Sequence, residues 1–368
     1  MPEPHQQMDD KWMELALGQA EQSVGLASPN PAVGCVLVRG DSVVGEGFHE
    51  FERRDHAEIV ALKQAGPQAR GATAYVTLEP CSHHGRTGPC ADALLAAGVA
   101  RVVVATEDPN PLVRGTGIAR LRARGVEVRL GVLQEPARGL NDGFARYITT
   151  SLPFVTMKVA ATLDGRIAPA QRSGSGPYWI TGHAARSEVQ RLRHAADAIL
   201  AGVGTILADD PLLTDRSQRP RRRPLLRVVL DSTLRTPLDS QLVKTAQEDV
   251  LIFFSHADPA AQQALAARGV RLQQIEHEST HIPLRQVLER LGEMQITSLI
   301  LEGGAEVHTT ALKQGLVDKL MLFYAPKFLG QTAVPMVGSS EGLPPIREYA
   351  LKRFGEDFVF EAYLRNPW

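Results

Sequence analysis

The tightest constraint on the fold lies between His56 and Cys90. His56 is followed two residues later by Glu58, and Cys81 closes Glu79-Pro80-Cys81. Cys90 closes Pro89-Cys90, with eight residues between the two thiols. Zinc favours tetrahedral nitrogen and sulfur ligation, and catalytic sites keep three protein ligands and leave the fourth position to water. His56, Cys81 and Cys90 supply three. A bound metal lowers the pKa of its water towards neutrality, and Glu58 stands close enough in the chain to carry the proton. Any fold for this chain must bring these four side chains to one point.

The surrounding pattern says how it could do so. From Asp55, expected as an N-cap, a helical period runs to residue 65 and sets His56 and Glu58 in the first turn, where both can converge on an ion over the helix end. A strand over residues 74–78 delivers Glu79-Pro80-Cys81 at its carboxyl end, where open α/β sheets collect ligands. Thr87-Gly88-Pro89 can start the next helix and place Cys90 at its positive end. Strands at 102–105 and 126–130 alternate with a helix at 115–124, and a helix over 135–147 closes the unit. Upstream, residues 33–38 and 43–48 flank a turn and predict a hairpin, with Cys35 a buried small hydrophobe. Before it, Asp9 and Asp10 can cap a helix whose apolar positions are Trp12, Leu15, Ala16 and Ala20. Alternating strands and helices predict a three-layer α/β/α unit over residues 1–150, with a linker near 149–153.

Three ligands can also belong to a structural zinc site, provided a fourth closes it, and His83 and His84 stand nearby. Against that, His-x-Glu followed by Pro-Cys-x-x-Cys is the signature of the zinc-dependent nucleobase deaminases, with the Glu off the metal; here the second spacing is Cys-x8-Cys. The insert 82–89 resembles the pyrimidine deaminases of riboflavin biosynthesis. So do Pro29-Asn30-Pro31-Ala32-Val33-Gly34-Cys35, the run 71–87 and Asp108-Pro109-Asn110-Pro111. The whole chain is similar to the bifunctional form of that family. The resemblance implies a cytidine-deaminase-like domain followed, over 151–368, by a dihydrofolate-reductase-like α/β domain that uses NADPH. It also implies that Asn30 touches the pyrimidine, that Glu79 or Asn30 holds the ring, and that His83 and His84 face the substrate.

The second half supports the resemblance. The opening strand and turn over 155–167, Trp179-Ile180-Thr181-Gly182, a helix at 183–195 and the run 204–214 all look like the family's reductase. Leu299-Ile300-Leu301 is a short strand ending in Glu302-Gly303-Gly304-Ala305 before a helix, an arrangement that offers backbone N–H groups to a phosphate. By resemblance Ala160, Trp179, Thr205, Ser232 and the segment Gly304, Ala305, Glu306, Val307, His308, Thr309 and Thr310 lie along the cofactor. Arg193, Asp209, Leu213, Arg216 and Glu302 face the substrate. Arg193 and Arg216 suit a phosphate clamp, since guanidinium matches phosphate bidentately, while Asp209 and Glu302 are candidates for orienting ribose hydroxyls. Where the family carries a substrate-contacting Ser two residues before the Trp, this chain has Pro177, with Ser173 and Ser175 nearby.

The implied activity is a hydrolytic deamination of diaminohydroxyphosphoribosylaminopyrimidine followed by reduction of its ribosyl group. Composition decides against the rival reading, a nucleic-acid base deaminase, which needs a basic groove and stacking aromatics. Net charge is −1 and aromatics are 5%. The run 219–224, the densest basic stretch, is expected as a solvated loop. A non-enzymatic reading would make the zinc structural and the second half a nucleotide sensor. Three cysteines suit a reducing compartment better than a disulfide framework, and neither a membrane span nor an export signal is apparent. A cytoplasmic enzyme acting on a small phosphorylated substrate, as a homo-oligomeric dimer or tetramer, is the expectation.

Overall fold

The computed structural model describes residues 4–83, 88–171, 178–276, 281–339 and 341–368. His84, Ser173, Ser175 and Pro177 lie outside them. The chain divides into two compact units, one of Met1–Thr150 with Pro220–Arg223 and Trp368, the other of Ser151–Arg219 with Pro224–Pro367.

In the first unit α1 (Pro4–Ser23) precedes the hairpin β1 (Gly34–Arg39) and β2 (Ser42–Phe48), then α2 (Ala57–Ala65) and β3 (Thr73–Val76). After these come α3 (Cys90–Ala97), β4 (Arg101–Val104), α4 (Thr116–Ala123), β5 (Glu127–Leu130), α5 (Gln134–Leu140) and α6 (Asp142–Thr150). The sheet runs β2-β1-β3-β4-β5, antiparallel around β1 and parallel from β3 to β5. Its inner strands β1, β3 and β4 are buried and largely apolar on both faces. Leu37, Val76 and Val102 pack with α2, α3 and α4, whereas Val36, Tyr75 and Val103 pack with α1 and α5. Helix α1 lies so close on the sheet that a Cβ on Gly34 would sit 2.1 Å from the Ala16 carbonyl oxygen.

Several local expectations need correction. Asp9 and Asp10 cap nothing, because α1 begins at Pro4. The Asp9 carboxylate is buried and instead accepts from Arg101 at 2.7 Å, Arg129 at 2.6 Å and the Tyr75 hydroxyl at 2.9 Å. Leu15 faces out, and Met13 takes its place inside. The cap of α2 is His56, not Asp55, whose carboxylate pairs with Lys63 at 2.5 Å. The closing helix breaks at Asn141, whose amide accepts from the Ala32 N–H at 2.7 Å and donates to the Ala32 carbonyl at 2.9 Å. Nor is the basic run simply solvated. Arg222 sits 3.7 Å over the Phe51 ring and bonds Glu52 and the Ser28 carbonyl, each at 2.9 Å.

The second unit begins with β6 (Phe154–Thr162), β7 (Arg166–Ala168), α7 (His183–Ala195), β8 (Ala198–Gly202), α8 (Val203–Asp209), β9 (Leu226–Leu230) and α9 (Gln241–Lys244). It continues with β10 (Val250–Phe254), α10 (Pro259–Ala266), β11 (Val270–Gln274), α11 (Leu284–Glu293), β12 (Ser298–Leu301) and α12 (Ala305–Lys313). It ends with β13 (Lys319–Ala325), β14 (Val334–Pro335), β15 (Ala350–Phe354) and β16 (Asp357–Tyr363). The main sheet runs β11-β10-β9-β8-β12-β6-β13-β16-β15, parallel up to β13 and antiparallel beyond, while β7 and β14 pair separately. Successive residues enter opposite cores. Val228 and Leu251 pack with α11 and α12, while Val229 and Ile252 pack with α8 and α9. Such double coverage requires the unbroken apolar runs seen in the sequence. No helix among the described residues is long and apolar enough to cross a membrane.

The Asp9 cluster makes a prediction. Burial pushes this carboxyl up, but hydrogen bonds and charge from Arg101, with Tyr75 and Arg129, outweigh it and hold the group below its usual range. A depressed carboxyl stabilises the fold above its unfolded pKa of about 4 and loses that contribution as pH falls through the folded value. Asp9→Asn is expected to cost about 2 kcal/mol at neutral pH. In urea titrations the difference from wild type should narrow below about pH 4.

Candidate active sites

The first unit brings its motif residues together. His56 Nδ1 lies 3.5 Å from Cys81 Sγ and 3.2 Å from Cys90 Sγ, and all three ligand atoms fall within 4.8 Å of one another. Tetrahedral zinc with bonds of about 2.0 Å to nitrogen and 2.3 Å to sulfur requires nitrogen–sulfur separations of roughly 3.5 Å, so the donors fit that ion. The local fold explains the convergence. His56 caps α2, Cys81 follows β3, and Cys90 opens α3 with its own N–H directed at Cys81 Sγ at 3.3 Å. Hydrogen bonds from Cys90 and His56 draw the Cys81 thiol down to about 4. A hydrogen bond to Cys81 and burial push the Cys90 thiol up.

Glu58 is 3% exposed, and its carboxyl meets the Cys90 thiol. Burial pushes it up to about 7, against the opposing charge of His56. Beside it stands a residue with no motif to announce it. His49 is buried, its ring meets that of His56 edge-on at 5.4 Å, and its Nδ1 donates to the Asp55 carbonyl at 2.9 Å. That leaves Nε2 to accept from the Asn30 amide at 3.0 Å. Asn30 is thereby fixed through His49 beside His56, and its side-chain carbonyl has no hydrogen bond among the described residues.

Glu79 does not face the substrate space. One carboxylate oxygen accepts from the N–H groups of Asp108 at 3.2 Å and Gly115 at 2.8 Å, and the other from Gly117 at 2.8 Å and Ile118 at 3.2 Å. The ring-holding role expected for it is corrected to a brace between the ligand loop and the start of α4, because all four donors lie in one segment and none is left for a ligand. Gly117 makes the approach possible, since a Cβ there would meet the Pro80 carbonyl oxygen at 1.9 Å. Asp108, partly buried near His83 and Cys81, has its carboxyl pushed by burial up to about 6. His83 is exposed and joins no metal cluster among the described residues.

In the second unit a cavity of about 810 Å³ opens at the carboxyl ends of β6, β8, β9 and β12. Ala160, Thr205, Asp209, Ser232, Glu302, Gly304, Ala305, Glu306, Val307, His308 and Thr310 line it. The N–H of Gly303 is used by His308 Nε2 at 3.2 Å, and His308 Nδ1 meets the Met336 carbonyl at 3.0 Å. Among the described residues the N–H groups without an acceptor therefore start at Gly304, the cap of α12. The floor holds a charge cluster. Glu302 accepts from Arg193 through both oxygens, at 3.1 and 2.9 Å, and from Lys158 at 3.4 Å. Burial would raise the Glu302 carboxyl, but these two cations bring it down to about 2. Burial lowers Lys158 despite Glu302.

Five expected contacts fall outside the cavity lining. Arg193 is 8% exposed and commits its fork to Glu302 and the Thr214 carbonyl, so it presents no clamp to a phosphate. Arg216 is exposed, held by its N–H to Gln190. Leu213 is buried, Trp179 is 54% exposed under Arg186, and the Thr309 hydroxyl turns back to Ala305 and Gly338. Lys158, inside the cavity, carried no signal beyond its place in an apolar strand.

Residues 153–360 match the RibD C-terminal domain, and residues 6–106 match the cytidine and deoxycytidylate deaminase zinc-binding region. The two α/β folds expected above are those of the matched families. The chain is 42% identical over 369 residues to a riboflavin biosynthesis protein RibD of Actinobacillus pleuropneumoniae, covering 98% of this chain and 96% of that one. A solved Acinetobacter baumannii RibD superposes with TM-score 0.82 at 39% identity, covering 97% and 99%. A solved diaminohydroxyphosphoribosylaminopyrimidine deaminase/5-amino-6-(5-phosphoribosylamino)uracil reductase of Thermotoga maritima superposes with TM-score 0.81 at 32% identity, covering 98% and 99%.

Replacing Glu79 with Gln sets an amide donor against backbone donors. Glu79→Gln is expected to lower stability by about 2–3 kcal/mol, as loss of a charged acceptor from buried N–H groups does. Thermal unfolding of the first unit would measure it, together with faster amide exchange at Gly115 and Gly117.

Proposed function

Because the chain belongs to the RibD family of riboflavin biosynthesis proteins, we propose that the residues gathered in its two units perform the family's two reactions in turn. The protein is a bifunctional enzyme. It deaminates diaminohydroxyphosphoribosylaminopyrimidine, then reduces the ribosyl group with NADPH to give 5-amino-6-(5-phosphoribitylamino)uracil.

In the first reaction His56, Cys81 and Cys90 would hold zinc. Zinc, when bound, supplies a Lewis acid that brings a water towards ionisation near neutral pH. Glu58 then does the proton work. A buried carboxyl poised near 7 accepts a proton from the attacking water and returns it to the departing amine. Asn30, fixed by His49, offers its side-chain carbonyl to an N–H of the pyrimidine edge. The observation that carries this reading is the meeting of three zinc-compatible donors with a buried carboxyl at the Cys90 thiol.

In the second reaction the cavity over β6, β8, β9 and β12 would receive NADPH, which supplies the hydride. The free N–H groups from Gly304 onward suit the pyrophosphate, and Ala160 lies at the other end of the lining. Glu302, held ionised by Arg193 and Lys158, accepts from ribose hydroxyls together with Asp209. Lys158 offers a proton at Nζ where the sugar oxygen develops charge. Arg193 acts through Glu302, while Arg216, outside the lining, remains available for the substrate phosphate. Free cysteines and a near-neutral charge support a cytoplasmic setting. The exposed Tyr349 and Leu351 at the outer strand β15 support association into a dimer or tetramer.

Glu58→Ala should retain stoichiometric zinc and the wild-type melting curve while deamination falls by about 10²–10⁴-fold. Removing the metal with a chelator should abolish deamination yet leave NADPH oxidation on the deaminated pyrimidine intact. Deamination that survives either treatment would refute the assignment.

A further inference from the structure

The basic run 219–224 has no part in either reaction as assigned above, yet the fold does not leave it in solvent. Residues 220–223, which lie between α8 and β9 in the chain, pack as part of the first unit. Arg222 makes the engagement, with a side chain only 22% exposed. Its backbone N–H donates to the Gly25 carbonyl at 2.8 Å, its Nη1 to the Ser28 carbonyl at 2.9 Å and its Nε to Glu52 at 2.9 Å. The guanidinium lies 3.7 Å from the centre of the Phe51 ring. Arg223 adds a bond from Nη2 to the Ser28 hydroxyl at 3.2 Å. Glu52 is 72% exposed, so that ion pair contributes little. The carbonyls and the ring are what fix the side chain.

What Arg222 holds is the pair of segments that meet at Asn30 and His49. Ser28 stands two residues before Asn30, and Phe51 two residues after His49. The segments are tied to each other by the Phe51 N–H on the Leu26 carbonyl at 3.2 Å, the His49 N–H on the Val33 carbonyl at 3.1 Å and the Ser23 hydroxyl on the His49 carbonyl at 2.5 Å. Asn30 itself lies between Pro29 and Pro31, neither of which has an N–H to give. A donor brought from elsewhere to the Ser28 carbonyl supplies a hold that this loop lacks. Because the same guanidinium bonds one segment and packs on an aromatic ring of the other, it fixes the spacing between them, which an ammonium group could not do. Misplacing a substrate-positioning group by roughly 1 Å is enough to cost a large factor in turnover.

We propose that Arg222 is a positioning residue of the deaminase site: by bridging the Ser28 carbonyl and the Phe51 ring it sets the place at which the Asn30 side-chain carbonyl receives the pyrimidine edge. This rests on Asn30 contacting the pyrimidine. The deaminase site thereby depends on a segment that the sequence places in the reductase half.

The test uses the full-length, zinc-loaded protein. Arg222→Ala should raise KM for the pyrimidine in deamination about 10-fold and leave kcat within about threefold, because the Asn30 contact is made in the ground state and the transition state alike. Zinc stoichiometry and NADPH oxidation on the deaminated pyrimidine should be unchanged. Amide exchange should quicken at Asn30 and Phe51 and stay as it was at Leu94 on the buried face of α3. Arg222→Lys, which keeps the charge and loses the fork, should fall between, and it carries the test if the alanine variant does not fold. Asn30→Ala separates the proposal from the reading beneath it. That variant should raise KM by a similar factor, and adding Arg222→Ala to it should change KM by less than about twofold. If Asn30→Ala raises KM but Arg222→Ala does not, or if the two effects multiply, the proposal is overturned and the Asn30 contact stands. If Asn30→Ala leaves KM unaltered, the contact falls and the proposal with it.

Discussion

A carboxylate taken out of water must find positive partners or give up its charge, and three glutamates of this chain meet that constraint in three ways. Glu79 is satisfied by four backbone N–H groups and serves as a brace. Glu302 is satisfied by the fork of Arg193 and by Lys158, which keep it ionised with a carboxyl near 2. Glu58 has the opposing charge of His56 but no guanidinium, and burial carries it up to about 7. The residue type is the same and the functions differ, because the partners differ. The three environments make one residue type a brace, a fixed anion and a carboxyl that can exchange a proton near neutral pH.

Both centres also form at the carboxyl ends of parallel strands. Beyond β3 come Glu79, Pro80 and Cys81, and beyond β4 the loop that supplies Asp108 to the Glu79 brace. In the second unit β8 ends at Gly202, and Ser232 and Glu302 follow β9 and β12. Parallel order places the following helix N-termini on one edge, so free N–H groups and the side chains that need them accumulate together. The small residues there have a matching cause. Gly117 lets the Pro80 carbonyl approach, and Gly303 lies under Val307, whose Cβ would be 2.9 Å from a side chain at that position.

Where reading from sequence went astray, the missing partner was distant in the chain. Asp9 before an apolar period looks like a cap; its partners, Arg101 and Arg129, come from β4 and β5. Glu79 beside Cys81 looks like a substrate contact until residues 108–118 fold over it. Arg193 resembles a phosphate clamp by chemistry alone, but its fork is taken by Glu302, more than one hundred residues away. His49 and Lys158 gave no local sign at all. One is a single imidazole after a strand, the other a lysine on a largely apolar strand that lines the cavity through Lys158, Val159 and Ala160.

The order of amino acids alone determined the kind of the main elements of the first unit, since apolar period and run length select helix or strand without reference to the rest of the chain. It also singled out His56, Cys81 and Cys90, the donors that the fold brings within 4.8 Å of one another, because imidazole and thiolate together suit a zinc ion. Glu58 was legible as the candidate proton carrier from its place two residues after His56, whereas which glutamate braces and which stays charged was decided only by the tertiary structure. Proton affinity in a protein interior is set by burial and by neighbours within a few ångströms, and those neighbours are brought together by folding, not by succession along the chain.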